Sequence, residues 1–318
     1  MTMTRNVPKP TVEASGHKDE EKQSPEDSAM KNGIFQENNT QPPKEESVLP
    51  LFSLKHKTAI VSGAGAGIGY AVAQAYAEAG ANVAIWYHGN KEAITKAAAI
   101  EKQYGVKCRA YQTDVTSFDS INDTVTSIVK DFNGRLDIFV ANAGVPWTQG
   151  RMIDGERSHY QRVVTTDLDS VFYCAQAAGA VFRRQYTDGG LSTTGEKLQN
   201  YAGGSFIATA SMSGHIANIP NHQSAYNAAK AGVIHLCKSL SVEWVKFARV
   251  NSVSPGYMAT EISDFVPIET KKIWRGKIPM GREGQPAELK GVYLFLASAA
   301  SSYMTGSDMV IDGGYCAV

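Results

Sequence analysis

From residue 51 onward, the chain alternates short apolar runs rich in β-branched residues with longer stretches of helical periodicity. The first such pair is an apolar run over residues 57–62 followed by an alanine-rich helical pattern over residues 68–79. This alternation is typical of parallel βαβ units, whose right-handed crossovers place helices on both faces of one sheet. The pattern therefore predicts an α/β fold, a single Rossmann-type, doubly wound, seven-stranded parallel sheet with helices on both faces.

The same periodicity predicts the limits of the individual elements. Strands are expected at residues 57–62, 82–87, 107–112, 138–141, 205–209, 249–254 and 309–311. Helices are expected at residues 68–79, 91–103, 117–132, 160–184, 224–247 and 286–297. Residues 185–203 are rich in Gly, Thr and Ser, and we expect them to form a surface loop because they are too polar for either element.

The first 48 residues differ in composition from the rest of the chain. They contain a single aromatic residue, Phe35, and many Lys, Glu, Asn, Gln and Ser residues. Such a segment buries too little apolar area to offset the entropy that it loses on ordering. We therefore expect a disordered N-terminal tail over residues 1–48 and a single folded domain over residues 49–318. Acidic residues outnumber basic ones in this tail, unlike in a mitochondrial presequence.

Charge and cysteine content argue against several classes of partner. The chain has 31 basic and 31 acidic residues, and the basic ones form no stripe that would suit phosphate backbones or acidic lipids. No apolar run approaches the roughly 18 to 20 residues that cross a bilayer, and no secretory signal pattern is present. The four cysteines lack the spacing of a metal site or a disulfide framework. We expect a soluble, cytoplasmic protein that binds neither nucleic acid, nor membranes, nor a metal.

Glycines cluster where the first predicted strand meets the first helix. Residues 62–69 contain Gly63, Gly67 and Gly69, with Ile68 between the last two. Glycine permits a tight turn and a close approach of a pyrophosphate to the backbone, and the N-terminus of the following helix attracts the anion. Glycines also serve purely structural turns, but this position between a strand and a helix predicts a dinucleotide site.

The end of the second predicted strand indicates which dinucleotide binds. In this fold, an Asp or Glu at that point forms a hydrogen bond with the 2′-hydroxyl of NAD. Here Tyr87 and His88 stand at the strand end, and residues 85–90 contain no acid. Because a carboxylate would repel a 2′-phosphate, its absence favours NADP(H) as the cofactor, and His88, Asn90 and Lys91 can supply donors or positive charge.

The most informative spacing joins Ser211, Tyr226 and Lys230. Tyr226 and Lys230 lie four residues apart in a predicted helix, so their side chains share one face. A free tyrosine has a pKa near ~10, and a neighbouring ammonium group favours the phenolate. Such a pair also occurs by chance on surface helices, but together with Ser211 and the glycine turn it predicts that Tyr226 exchanges a proton with a substrate.

These motifs resemble those of the short-chain dehydrogenase/reductase family. The resemblance rests on the glycine turn, on Ala141-Asn142-Ala143-Gly144, on Ser211, Tyr226 and Lys230, and on Pro255-Gly256 followed by Thr260. It extends over residues 51–318, essentially the whole predicted domain. Residues 140–150, 248–257 and 281–284 are similar to the fungal sorbose reductase and stereospecific carbonyl reductase branch of that family.

The resemblance implies a role for each motif. Tyr226 would give a proton to the carbonyl oxygen as hydride arrives, and Ser211 would orient that oxygen. Lys230 would hold the nicotinamide ribose and lower the pKa of Tyr226. The other implied cofactor contacts are Asp114 at the adenine, Asn142 and Gly144 beside the central strand, and Pro255, Gly256 and Thr260 at the nicotinamide amide. The family commonly forms tetramers through its long helices, which implies a homotetramer.

One catalytic position departs from the family pattern. The family usually has an Asn before the serine strand, where it holds a water molecule for proton relay, whereas this chain has Asp167. An ionised aspartate accepts hydrogen bonds but cannot donate one. We therefore expect Asp167 to belong to the catalytic group and the relay to be altered.

These observations predict an NADP(H)-dependent oxidoreductase that reversibly reduces a ketone or ketose carbonyl to a secondary alcohol. Residues 257–280 mix polar and aromatic side chains, and a sugar needs several hydrogen-bond partners, so a sorbose- or fructose-like ketose is favoured over a small activated ketone. Two alternatives stay open. One is a reductase of β-keto thioesters, and the other is a catalytically silent dinucleotide-binding regulator.

Overall fold

The computed structural model describes residues 29–263 and 266–318, without the side chain of Ile262. Within these residues, one sheet contains seven parallel strands in the order β3-β2-β1-β4-β5-β6-β7. The strands are β1 Thr58–Val61, β2 Asn82–Tyr87, β3 Cys108–Gln112, β4 Ile138–Ala141, β5 Gly204–Thr209, β6 Ala248–Pro255 and β7 Asp308–Ile311. The predicted fold class and all seven predicted strands are therefore confirmed.

Helices connect the strands. They are α1 Gly67–Glu78, α2 Glu92–Tyr104, α3 Phe118–Asp131, α4 Arg157–Val164, α5 Ser170–Thr187, α6 Ser224–Glu243, α7 Ile268–Lys277 and α8 Lys290–Ala297. A 3₁₀ turn over Pro286–Leu289 begins the last predicted helix. Helix α7 was not predicted, because half of its residues are charged and only Trp274 is buried.

The stretch predicted to be helical over residues 160–184 is helical throughout, but it is not one regular α-helix. A π-helical turn, Thr165–Asp169, separates α4 from α5. Such turns insert an extra residue into a helix and often lie at functional sites. Here the turn contains Asp167, whose side chain is fully buried.

The loop predicted from residue 185 begins later than expected. Gln185 lies inside α5 and is fully buried, although its polarity argued for a surface position. Its amide accepts a hydrogen bond from the backbone N–H of Leu136 at 2.8 Å and donates one to the carbonyl of the same residue at 2.7 Å. A buried polar group is tolerated when it is paired in this way, which the composition of the segment does not reveal.

The core has two parts, one on each face of the sheet. On one face, Phe139 and Phe206 pack with residues of α3, α5 and α6. On the other, Val61 and Val140 pack with residues of α1, α2 and α8. Successive strand residues point to opposite faces, so apolar residues on both sides produce the continuous apolar runs seen in the sequence.

The N-terminal region contains little regular structure in its described part. Residues 29–37 belong to a small unit of their own, with a hairpin between Met30–Lys31 and Ile34–Phe35, and Val48–Leu51 forms a single helical turn. Residues 1–28 lie outside the described residues, so the disordered tail and the domain boundary at residue 48 stay predictions. None of the helices in the described parts of the chain is long and apolar enough to span a membrane.

Candidate active site

A cavity of about 420 Å³ lies at the carboxyl ends of the central strands. The order of the strands reverses between β1 and β4, and ligands of doubly wound sheets bind at such a switch point. Most of the predicted site residues line this cavity: Gly63, Gly67, Ile68, Asn142, Gly144, Asp167, Ser211, Tyr226, Lys230, Pro255, Gly256 and Thr260. Gly69, Tyr87, His88 and Asp114 are not part of its lining.

The glycine turn forms one end of the cavity. Gly63 has a φ of +62°, which favours glycine, and a Cβ there would lie 2.9 Å from the Cα of Ala143. The turn leads into the N-terminus of α1, whose first amides have no acceptor within the helix. Free amides and a positive dipole end provide a suitable site for a pyrophosphate.

Hydrogen bonds join the ends of β1, β4 and β5 beside this turn. The Ser62 hydroxyl oxygen accepts from the backbone N–H of Asn142 at 2.9 Å and of Ala143 at 3.0 Å. The Asn142 amide donates to the carbonyl of Ser62 at 3.1 Å and accepts from the Thr209 hydroxyl at 3.1 Å. Asn142 therefore mainly links the ends of β1, β4 and β5 through hydrogen bonds, which stabilises this part of the cavity wall.

Tyr226 and Lys230 project from the first two turns of α6. The Lys230 Nζ lies 5.5 Å from the centre of the Tyr226 ring and donates to the backbone carbonyl of Thr209 at 3.1 Å. Ser211 directly follows Ala210 at the end of β5, and its Oγ accepts from the backbone N–H of Ser213 at 3.1 Å. The cavity thus brings together three side chains from two separate segments of the chain.

Two opposing effects act on the pKa of Tyr226. Burial disfavours the phenolate and raises this pKa above its ordinary value, and the charge of Asp167 adds to the increase. The Lys230 ammonium and the Ser211 hydroxyl act in the opposite direction, since each stabilises the phenolate. The net effect raises the pKa of Tyr226, which favours the protonated phenol as a proton donor.

Asp167 forms a buried ion pair with Lys230. Its Oδ1 lies 3.1 Å from the Lys230 Nζ, and its Oδ2 accepts from the backbone N–H of Val145 at 3.1 Å. A Cβ on Gly144 would lie 2.5 Å from Oδ1, so only glycine at this position leaves room for the carboxylate. Burial raises the pKa of Asp167, against the charge of Lys230. Burial also tends to lower the pKa of Lys230, but the opposing effect of Asp167 leaves it raised.

The outer edge of β2 and β3 carries the residues predicted to select and hold the adenosine half of the cofactor. Tyr87 ends β2, and the exposed residues that follow, from His88 to Lys91, include no carboxylate. Asp114 follows β3, and hydrogen bonds from the side chain and backbone of Thr116 lower its pKa. This edge fits a cofactor with a 2′-phosphate, since no acid at the end of β2 would repel it.

The rest of the cavity lining includes aromatic and amide side chains. The rings of Tyr257 and Trp274 stack at 4.0 Å with an angle of 6° between their planes. Sequence reasoning missed Asn221 and Gln223, which also line the cavity. Gln223 lies three residues before Tyr226, which is about one helical turn. This spacing could have predicted that the two side chains lie near each other.

Comparison with known proteins identifies relatives along nearly the whole chain. The family model described as "Enoyl-(Acyl carrier protein) reductase" matches residues 63–316. The L-xylulose reductase of Hypocrea jecorina is 62% identical over 286 residues, which cover 90% of this chain and 99% of that protein. A sorbose reductase of Candida albicans is 50% identical over 276 residues, covering 86% of this chain and 92% of that protein. The predicted likeness to the sorbose reductase branch is confirmed.

A solved structure also matches the fold. The NADPH-dependent 3-quinuclidinone reductase from Rhodotorula rubra superimposes with a TM-score of 0.80 at 38% sequence identity, and the match covers 88% of this chain and 98% of that one. The agreement between the two folds extends over nearly all of that enzyme.

Proposed function

Because the chain belongs to the short-chain dehydrogenase/reductase family, we propose that it reduces the carbonyl group of a ketose to a secondary alcohol, with NADPH as the hydride donor. The observation that carries this proposal is the convergence of Ser211, Tyr226 and Lys230 on one cavity that begins at the glycine turn. The relatives, an L-xylulose reductase and a sorbose reductase, support a ketose as the substrate class.

Each of the three side chains has its own role in proton transfer. Bound NADPH supplies a hydride to the carbonyl carbon. Tyr226 gives its phenolic proton to the carbonyl oxygen, and the Ser211 hydroxyl orients that oxygen and stabilises its developing negative charge. Lys230 stabilises the phenolate that remains on Tyr226 and would hold the nicotinamide ribose. In the reverse direction, the phenolate takes the proton from the alcohol.

The cofactor preference follows from the edge of the sheet. The exposed segment after Tyr87 contains His88, Asn90 and Lys91 but no acid, which suits a 2′-phosphate. The NADPH dependence of the structurally similar 3-quinuclidinone reductase supports the same choice. Asp114 remains the proposed adenine contact, and Pro255, Gly256 and Thr260, which line the cavity, the proposed nicotinamide contacts.

Two alternatives have less support. A reductase of β-keto thioesters would agree with the description of the matching family model, but the balanced charge of the sequence does not indicate a basic surface that would recruit an acidic carrier protein. A silent dinucleotide-binding regulator has no need of Ser211, Tyr226 and Lys230 together around one cavity.

The experiment compares NADPH oxidation by the wild-type protein and by Tyr226→Phe with L-xylulose, L-sorbose and D-fructose. The substitution removes only the proton-transferring hydroxyl, so we expect kcat to fall by about a hundredfold or more, while NADPH binding, followed by its fluorescence, persists. Ser211→Ala should lower mainly the rate, whereas Lys230→Ala should weaken cofactor binding as well. A Tyr226→Phe enzyme that keeps about a tenth of its activity, against the loss typical of general acid catalysis, would contradict the assignment.

We also propose that the protein acts in the cytoplasm as a homotetramer. Helices α4 and α5 expose the large side chains of Tyr160, Phe172 and Tyr186. Exposed aromatic residues on long helices are typical of surfaces that become buried between subunits.

A further inference from the structure

Gln223, which lines the cavity, belongs to a network of side-chain amides. Gln223 immediately precedes α6, and its Nε2 lies 3.0 Å from the Asn218 Oδ1, 3.2 Å from the Asn227 Oδ1 and 3.0 Å from the Ser213 Oγ. Asn218 continues the network, since its Nδ2 donates to the Tyr257 hydroxyl at 3.3 Å. These contacts hold the Gln223 side chain in one place beside the catalytic helix.

The orientation of the amide groups in this network follows from a single backbone carbonyl. The Asn227 side chain faces the carbonyl oxygen of Ile216 at 3.2 Å, and because a carbonyl only accepts, Asn227 must present its NH₂ group there. The Asn227 Oδ1 then faces Gln223. Since that oxygen also only accepts, Gln223 must turn its own NH₂ group towards the network.

The carbonyl oxygen of Gln223 is consequently left without a protein partner. Among the described residues, none donates a hydrogen bond to the Gln223 Oε1. This atom is accessible to solvent, since it is not among the buried polar atoms that lack a partner. Gln223 lines the same cavity as Ser211 and Tyr226. The protein therefore presents a fixed acceptor that cannot rotate to become a donor without breaking the amide network.

We propose that Gln223 determines the specificity for hydroxylated substrates by accepting a hydrogen bond from a hydroxyl group of the ketose. This inference rests on the proposed function of the cavity and adds the residue that distinguishes a ketose from a simple ketone. A ketone without a hydroxyl group leaves the acceptor unpaired once water is displaced, and sites built to bind a hydroxyl discriminate strongly against such analogues.

The test is the ratio of kcat/KM for L-xylulose to kcat/KM for 2,3-butanedione, which has no hydroxyl group. Gln223→Met keeps the length of the side chain and removes the acceptor, so we expect this ratio to fall roughly tenfold or more, as for an unpaired buried group. Gln223→Ala removes the acceptor together with the rest of the side chain beyond Cβ, and it should lower the ratio as well. His222→Ala, an exposed neighbour in the same loop, is the matched control and should leave the ratio unchanged.

NADPH binding, measured by fluorescence, establishes that each variant is folded. A parallel fall of both kcat/KM values in Gln223→Met, or an unchanged ratio, would overturn the specificity role. If Gln223→Met does not bind NADPH, the Gln223→Ala enzyme is decisive, and an unchanged ratio in that variant would refute the inference. A wild-type enzyme that reduces neither compound would overturn the proposed function instead.

Discussion

Replacing Asp167 by Asn tests how the buried ion pair affects proton transfer. The Asp167 Oδ1 lies 3.1 Å from the Lys230 Nζ, which is 5.5 Å from the centre of the Tyr226 ring. The carboxylate is therefore no more than about 9 Å from the centre of the ring, and two unit charges at such a separation interact by about 2 kcal/mol at an effective dielectric constant of about 20. Since about 1.4 kcal/mol corresponds to a tenfold change in proton affinity, Asn should lower the pKa of Tyr226 substantially.

The assay is the pH dependence of kcat/KM for alcohol oxidation with NADP⁺. Oxidation requires the Tyr226 phenolate, and Asp167 raises the pKa of this group. Removing the charge lowers that pKa, so the rising limb of the profile should move to lower pH. In the direction of reduction, which requires the protonated form, the falling limb should move to lower pH as well.

Asp169→Asn is the matched control, because it removes one negative charge from the same π-helical turn at a partly exposed position. It should leave the profile unchanged. Asp167→Asn should also lower the melting temperature, since leaving one member of a buried ion pair alone costs about 3–5 kcal/mol. A folded Asp167→Asn enzyme that binds NADPH but shows the wild-type profile would refute the coupling of Asp167 to Tyr226.

Two further predictions concern the cofactor and the assembly. Tyr87→Asp places a carboxylate at the end of β2, where it should repel the 2′-phosphate of NADPH. We expect kcat/KM for NADPH, relative to kcat/KM for NADH, to fall by about tenfold or more. An unchanged ratio would mean that Tyr87 does not adjoin the ribose. Light scattering at micromolar concentration should give the mass of a homotetramer, through burial of Tyr160 and Phe172, and a monomer would contradict this expectation.

Elements with a strong local pattern were predictable from the sequence. The seven strands were found because each is a short apolar run, and in a sheet covered on both faces such runs are continuous. The glycine turn at Gly63 and the four-residue spacing from Tyr226 to Lys230 were found for the same reason, since turn geometry and helical periodicity relate residues close in the chain. The sequence by itself therefore determined the fold class and the catalytic candidates.

Contacts between distant segments were decided only by the tertiary structure. The pairing of Asp167 with Lys230 depends on a π-helical turn and on the space beside Gly144, neither of which has a local signature. The orientation of Gln223 depends on the carbonyl of Ile216, reached through Asn227. Hydrogen-bond direction and burial depend on residues that are far apart in the sequence and close together in the fold. The polarity of the cavity wall could therefore be determined only from the tertiary structure.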